Sequence, residues 1–136
     1  MAELRKAAGL RQSDLAAQLG TRDRRVGEWE RGEQQPRPQY LLAIAAALNT
    51  DPLELLDVDP QDPPLLALRL AAGLTLREMA ASSGIPLSSY QRLELGISRS
   101  EPSATTTAAL ASALGLALPR VQRATARSRV EHVRRT

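Results

Sequence analysis

The feature that most constrains the fold of this chain is an internal repeat. The run LRKAAGL begins at Leu4, and the run LRLAAGL begins 64 positions later, at Leu68. The same offset aligns glycines and acidic residues further along, namely Gly20 with Gly84, Glu30 with Glu94, and Gly32 with Gly96. Agreement spread over the whole unit predicts two small homologous units.

The repeat also sets the expected boundaries. Residues 57–64 contain three prolines and three aspartates, a composition that excludes a helix or a central strand. We therefore expect a first unit over residues 1–57, a linker over 58–64 and a second unit over 65–118. Residues 119–136 remain as a basic C-terminal tail.

Composition narrows the function. The chain has no Cys and one His, which argues against a disulfide framework, a thiolate zinc site and a Cys nucleophile. We expect no catalytic residue, no metal, no cofactor and no enzymatic activity. The longest apolar run, residues 41–48, is too short to cross a bilayer. The expectation is a cytoplasmic, nucleoid-associated protein without a membrane partner.

The basic excess is concentrated at the C-terminus. Residues 120–136 carry six Arg and one Glu, whereas residues 1–57 carry eight Lys/Arg against nine Asp/Glu. Two interpretations of this tail stay open. It is either a frayed basic end or an arm that follows DNA phosphates and adds salt-dependent affinity.

Both units are predicted to be helical, because apolar residues recur at helical spacing between Gly and Pro breaks. The predicted helices of the first unit are 3–8, 12–19, 23–31, 38–48 and 52–56. Those of the second are 65–72, 76–83, 87–95, 103–114 and one from about residue 118. The fold class is all-α, with two tandem five-helix units.

The turn between the second and third helices is very short. Only residues 20–22 separate them in the first unit and 84–86 in the second, and each turn contains a Gly. This spacing predicts a helix-turn-helix, whose second helix fits the major groove of DNA.

Several motifs of the first unit resemble a known family. The run LRQSDLA at residues 10–16, the run WERG at 29–32 and Pro36 are similar to the Cro-type phage-repressor (Xre) helix-turn-helix proteins. The match covers about residues 3–56, and residues 65–118 resemble the family more weakly. The resemblance implies a lambda-repressor-like five-helix fold that binds operator DNA, commonly as dimers on palindromic sites.

The resemblance also implies roles for single residues. Base contacts are expected from Asp23, Arg24 and Glu28. Phosphate contacts are expected from Gln12, Arg22, Arg25 and Arg31. The chemistry agrees, since Arg donates twice to guanine and Glu accepts from cytosine. We expect Trp29 to lie in the core, and the ion pairs Arg5–Glu30 and Arg69–Glu94 to be scaffold, as their positions imply in relatives.

The second unit departs at these positions. Leu76 replaces Gln12, and Leu95 stands where the first unit has Arg31. Further DNA contact could come from Ser88, Ser89, Arg92 and Arg99. Two interpretations remain: a weaker second reader on a tandem site, or a domain converted to protein contact.

The sequence thus predicts a sequence-specific transcriptional regulator that binds double-stranded DNA through residues 23–31. A second half-site would be read by a second chain, as a homodimer, or by the second unit. The alternative is a protein-interaction module, antitoxin-like or regulator-binding, whose second unit holds a protein partner.

Overall fold

A computed structural model describes residues 1–98 and 100–136, so Arg99 lies outside the described residues. Within these ranges the chain is helical and contains no strand. The helices are α1 (Ala2–Ala7), α2 (Gln12–Leu19), α3 (Asp23–Glu30), α4 (Pro38–Ala47), a 3₁₀ helix (Pro52–Leu55), α5 (Leu65–Ala71), α6 (Leu76–Ser83), α7 (Leu87–Leu95), α8 (Ala104–Leu114) and α9 (Leu118–Arg135). The all-α prediction is confirmed, and most helix ends agree to within one residue.

The first domain, α1 to the 3₁₀ helix, closes around one apolar cluster. Leu15 and Ala16 of α2 meet Val26 and Trp29 of α3, with Ile44 of α4 beneath them. These residues recur at helical spacing, so each short helix buries a single stripe. Because isolated helices of this length are marginal in water, this packing is what stabilises them.

The second domain, α5 to α9, repeats this arrangement around its own cluster. Leu68, Met79, Tyr90 and Leu110 form its centre. Helix α6 begins with a capping box in which the Thr75 hydroxyl accepts from the Glu78 N–H, and the Glu78 carboxylate accepts from the Thr75 N–H.

Helix α9 changes the interpretation of the C-terminal tail. Residues 118–135 form one helix that packs on α5, α7 and α8. Val121 and Ala124 are buried in the second core, and the Ser128 hydroxyl accepts a hydrogen bond from the Leu65 N–H at 3.0 Å. Small residues at helical spacing permit this close packing. The segment separated in the sequence analysis as a tail, either frayed or a free arm, is therefore an integral helix of the second domain.

The two domains pack on each other through unlike helices. Helix α5 contacts α4 and the 3₁₀ helix. The residues Leu41, Ala45, Leu53 and Ala67 are buried although they belong to neither core, and a side chain at Gly73 would collide with Leu42. Pro63 and Pro64 of the linker are buried as well. The linker is thus part of a packed junction.

No helix among the described residues is long and apolar enough to span a membrane.

Candidate nucleic-acid interface

The turn between α2 and α3 fixes the angle of the exposed helix. Gly20 adopts the left-handed conformation, with φ 69° and ψ 29°. A residue with a Cβ would be strained in this conformation. The Thr21 N–H donates to the Ala16 carbonyl at 2.9 Å and closes the end of α2. Arg22 is extended and precedes the first turn of α3. The predicted helix-turn-helix is therefore present in the first domain.

The apolar side of helix α3 packs on the core of the first domain. Val26 and Trp29 are buried against α2 and α4, which confirms the core position predicted for Trp29. The opposite side of the helix, with Asp23, Arg24 and Arg25, faces solvent. The helix thus offers charged side chains on a rigid support.

A buried ionic network holds the C-terminal end of α3. Arg5 binds Glu30 in a bidentate manner, at 2.6 and 3.1 Å, and donates a further bond to the Leu10 carbonyl at 2.8 Å. The Gln12 amide also donates to Glu30, at 2.9 Å. Burial would raise the pKa of Glu30, but the hydrogen bonds from Arg5 and Gln12 and the Arg5 charge outweigh it, so the pKa lies below its ordinary value. The predicted ion pair is confirmed.

The residues expected at the bases lie on the outer face of α3. The Arg24 side chain is 87% exposed, and its Nε lies 3.3 Å from a Glu28 carboxylate oxygen one turn away. The Asp23 carboxylate accepts from the Arg24 backbone N–H at 2.9 Å. An exposed ion pair of this kind is worth about 1 kcal/mol at most. Arg24 is therefore available to a ligand at little cost.

Arg25 is positioned by two aromatic rings. Its guanidinium carbon lies 5.8 Å from the centroid of Trp29 and 5.3 Å from that of Tyr40, within cation–π range. Tyr40 comes from the first turn of α4, and its ring packs on Trp29. Sequence analysis missed this role of Tyr40, because only the tertiary fold brings α4 beside Arg25.

Next to these side chains lies an open cleft of about 490 Å³. Its walls include Arg22, Arg24, Arg25, Glu28 and Gln34. The structure therefore brings together four of the seven predicted contact residues of the first domain. Gln34, an exposed amide after α3, was not predicted.

Gln12 and Arg31 lie apart from this cleft but near each other. Both approach Gly27, whose lack of a side chain leaves room for them along α3. Arg31 also binds Glu33 in a bidentate manner, at 2.9 and 3.1 Å, and both groups are exposed. Gly27 is a second residue of the site that the sequence did not reveal, because a glycine inside a helix does not mark a turn or a helix end.

The second domain keeps the scaffold of this site. Arg69 binds Glu94 at 2.7 and 2.8 Å and the Leu74 carbonyl at 2.9 Å, as Arg5 does with Glu30 and Leu10. Tyr90 takes the place of Val26 and is fully buried. Burial, followed by the nearby Glu94 charge, raises the pKa of the Tyr90 phenol well above its ordinary value.

The surface of the second domain differs. Ser88, Ser89 and Arg92 are exposed on α7, and the last two line a cleft of about 560 Å³. Further hydroxyl groups line it, from Ser83, Ser98, Thr105 and Thr106. Where the cleft of the first domain has three guanidinium groups among its described residues, this one has Arg92.

The segment after the third helix shows the largest difference. Gly32 and Gly96 share the same left-handed conformation, with φ 74° and 73°. A Cβ on Gly32 would meet open space, whereas a Cβ on Gly96 would collide with the Ser128 backbone of α9. Helix α9 therefore covers in the second domain a position that the first domain leaves open.

Comparison with known proteins identifies the fold. A helix-turn-helix family model matches the chain twice, at residues 1–55 and 65–121. Comparisons with curated proteins and with solved structures gave no significant match. The first matched region coincides with the first domain, the second covers α5 to α8 and the start of α9, and together they span most of the chain. The chain therefore belongs to the Cro/C1-type helix-turn-helix family of DNA-binding regulators, with two copies of the fold in tandem.

Proposed function

We propose that this protein is a sequence-specific transcriptional regulator that reads the major groove with α3 of its first domain. The observation that carries the proposal is the cleft at the start of α3, where three arginines and Glu28 surround one open surface. A charged surface on a helix anchored by Val26 and Trp29 is the arrangement that major-groove readout needs.

The proposed roles follow from exposure and partners. Arg24, Asp23 and Glu28 face outward and would meet base edges, where Arg pairs with guanine and a carboxylate accepts from cytosine. Arg22 and Arg25 flank them and would bind phosphates. Gln12, whose amide donates to Glu30, and Arg31 would bind the DNA phosphates near the C-terminal end of α3.

The second domain is proposed to act mainly through protein contact. Leu76 and Leu95 replace the polar pair Gln12 and Arg31, and α9 covers Gly96. Ser88, Ser89 and Arg92 can still contribute weak contacts to DNA phosphates. This assignment favours one of the two interpretations of the second unit and keeps DNA reading in the first.

The experiment is selection of bound sequences from a random duplex library with the full chain. We expect enrichment of one motif and a linear fall of log affinity with log salt. A variant with Arg22, Arg24 and Arg25 changed to Ala should lose the motif, and Arg92→Ala should keep it. Enrichment of no motif by the wild-type chain would reject the proposal.

A further inference from the structure

The cleft of about 560 Å³ in the second domain lies between α7, the turn before it and α8. We call it the α7–α8 cleft. Its volume is within the range of small-molecule binding sites. Ile85, Leu93 and Pro102 give it an apolar wall, and Ser89 and Arg92 are among its polar residues. An apolar surface with a few polar groups beside it is the usual composition of such a site.

The internal repeat shows which positions of the first domain correspond to this cleft. The two units align at an offset of 64 residues as far as Gly32, and at an offset of 66 residues from Pro36 onward. The counterparts of Arg25, Trp29 and Tyr40 are therefore Ser89, Leu93 and Thr106. All three of the second-domain residues line the α7–α8 cleft.

In the first domain the same three positions hold large side chains that pack on one another. The guanidinium carbon of Arg25 lies 5.3 Å from the ring centroid of Tyr40, and the ring centroids of Tyr40 and Trp29 are 5.4 Å apart. Among the described residues, none from α4 lines the cleft of the first domain, whereas α8 contributes Thr106 and Ala109 to that of the second. The space between the third and fourth helices is thus filled in the first domain and open in the second.

The polar groups of the α7–α8 cleft indicate the charge of a ligand. Arg92 is its one charged residue within the described part of the chain, and it forms no ion pair there. The hydroxyl groups of Ser89 and Thr105 also form no hydrogen bond with the described residues, whereas the Ser83 hydroxyl donates to the Met79 carbonyl at 2.8 Å. A guanidinium and hydroxyl groups can all donate hydrogen bonds to a carboxylate. The cleft therefore offers an anion-binding group next to an apolar wall.

We propose that the α7–α8 cleft binds a small organic acid with an apolar body, of which an aromatic carboxylate is the simplest form. Arg92 and Ser89 bind the carboxylate. The ring lies against Leu93 and Thr106, in the space that Trp29 and Tyr40 occupy in the first domain. The proposal does not rest on DNA binding by α3.

A phosphate of DNA is another source of the same negative charge. Surfaces that bind the DNA backbone usually gather several cations, as the cleft of the first domain does with three arginines. The α7–α8 cleft has one guanidinium among its described residues, and a phosphate makes no use of the apolar surface of Ile85, Leu93 and Pro102. The observations therefore favour a small acid over the DNA backbone.

The first test is a titration of the ¹⁵N-labelled full chain with benzoate, without DNA, followed by NMR. Benzoate should bind saturably with a dissociation constant of about 1 mM, an ordinary affinity for a ligand of its size. The amide signals of Ser89, Leu93 and Thr106 should shift. Acetate lacks the ring and benzyl alcohol lacks the charge, so each should bind at least about tenfold more weakly. Shifts that do not saturate, that lie only around the arginines of α3, or that acetate reproduces at equal affinity would overturn the proposal.

Substitutions locate the site. Arg92→Gln should weaken benzoate binding by about tenfold, because a charged hydrogen-bond donor is lost. Arg77→Gln, which removes an exposed arginine of α6 outside the cleft, is the matched control and should leave the affinity unchanged. An equal loss in both variants would mean that benzoate responds only to the positive charge of the domain, and would reject the site.

A second pair of variants fills the cleft. Thr106→Tyr introduces the residue that the first domain has at this position, and it should abolish benzoate binding with unchanged thermal unfolding. Ala109→Leu narrows the cleft from the same helix and should also weaken binding, which keeps the test valid if Thr106→Tyr does not fold. Undiminished binding in a folded variant would show that benzoate lies elsewhere and would reject the proposal.

Duplex DNA separates the two sources of charge. If benzoate does not bind, and Arg92→Gln lowers the slope of log affinity for the duplex against log salt, the cleft is a DNA phosphate contact and the proposal is overturned. Benzoate binding by a chain that selects no DNA motif would instead reject the DNA-reading role of α3 and leave this proposal intact.

Discussion

Both domains hold the end of their third helix with the same buried pair, Arg5–Glu30 in the first and Arg69–Glu94 in the second. What surrounds the pair differs. Gln12 donates to Glu30 in the first domain, whereas Leu76 and the buried Tyr90 take up the corresponding region in the second. The comparison shows that the ionic scaffold is retained where the polar surface beside it is not.

The difference extends to the end of the third helix. After α3 the backbone at Gly32 is open, and after α7 the backbone at Gly96 is covered by α9. The first domain thus keeps an accessible charged surface, while the second uses an additional packed helix.

The largest expected effect tests whether the scaffold is equivalent in both domains. Glu30→Ala and Glu94→Ala should each lower the free energy of unfolding by about 3–5 kcal/mol, because each leaves a buried Arg without its partner. Urea denaturation measures this. Glu33→Ala, which removes only an exposed partner of Arg31, is the control and should have a small effect. Losses below about 1 kcal/mol at Glu30 or Glu94 would contradict a shared scaffold.

The two glycines test the difference after the third helix. Gly96→Ala should cost about 2–5 kcal/mol, since it combines a strained positive φ with a collision against α9. Gly32→Ala has the same φ but open space, so it should cost about 1–2 kcal/mol. Thermal unfolding of the two variants gives the comparison directly. Equal losses of stability in the two variants would contradict the close contact between α9 and Gly96.

The third prediction concerns which domain reads DNA. Arg24→Ala should weaken binding to the selected motif by about 1–3 kcal/mol and relax specificity at one base pair. Arg92→Ala, at the corresponding face of the second domain, should leave the preferred sequence unchanged. Fluorescence anisotropy with the motif and with single-base variants measures both. An equal loss on all sequences would make Arg24 a phosphate contact.

The smallest effect is acid sensitivity of the first domain. Because the pKa of Glu30 lies below its ordinary value, its ion pair stabilises the fold fully above the ordinary pKa. This stabilisation is lost as the pH falls below about 4 and through the lowered pKa. The stability difference between wild type and Glu30→Gln should therefore narrow on acidification, as measured by urea denaturation at several pH values. A difference independent of pH would reject this contribution.

Local patterns in the sequence were sufficient for most of the fold. Gly20 and Gly84 marked the ends of α2 and α6, and the apolar spacing of Val26 and Trp29 predicted which side of α3 is buried. These signals depend on residues that are close in the chain. The C-terminal helix was predicted from about residue 118 but not as part of the core, because its many arginines give no sign that Val121, Ala124 and Ser128 are buried.

Side-chain partners from distant helices were harder to foresee. The sequence predicted Arg25 as a charged flank of α3, but its position over Tyr40 depends on how α4 crosses α3. The role of Gly27 was equally hard to predict, because it depends on Gln12 and Arg31 both lying close to this position in the folded chain.

The sequence by itself determined the repeat, the helices, the helix-turn-helix and the paired Arg and Glu of each scaffold, since each of these follows from spacing along one chain. Only the tertiary structure decided that α9 belongs to the second domain, that the linker is packed, and that Ser89, Leu93 and Thr106 line one cleft with Arg92. These features depend on which helices meet in space, and the free energy of that packing is distributed over contacts between residues far apart in the sequence.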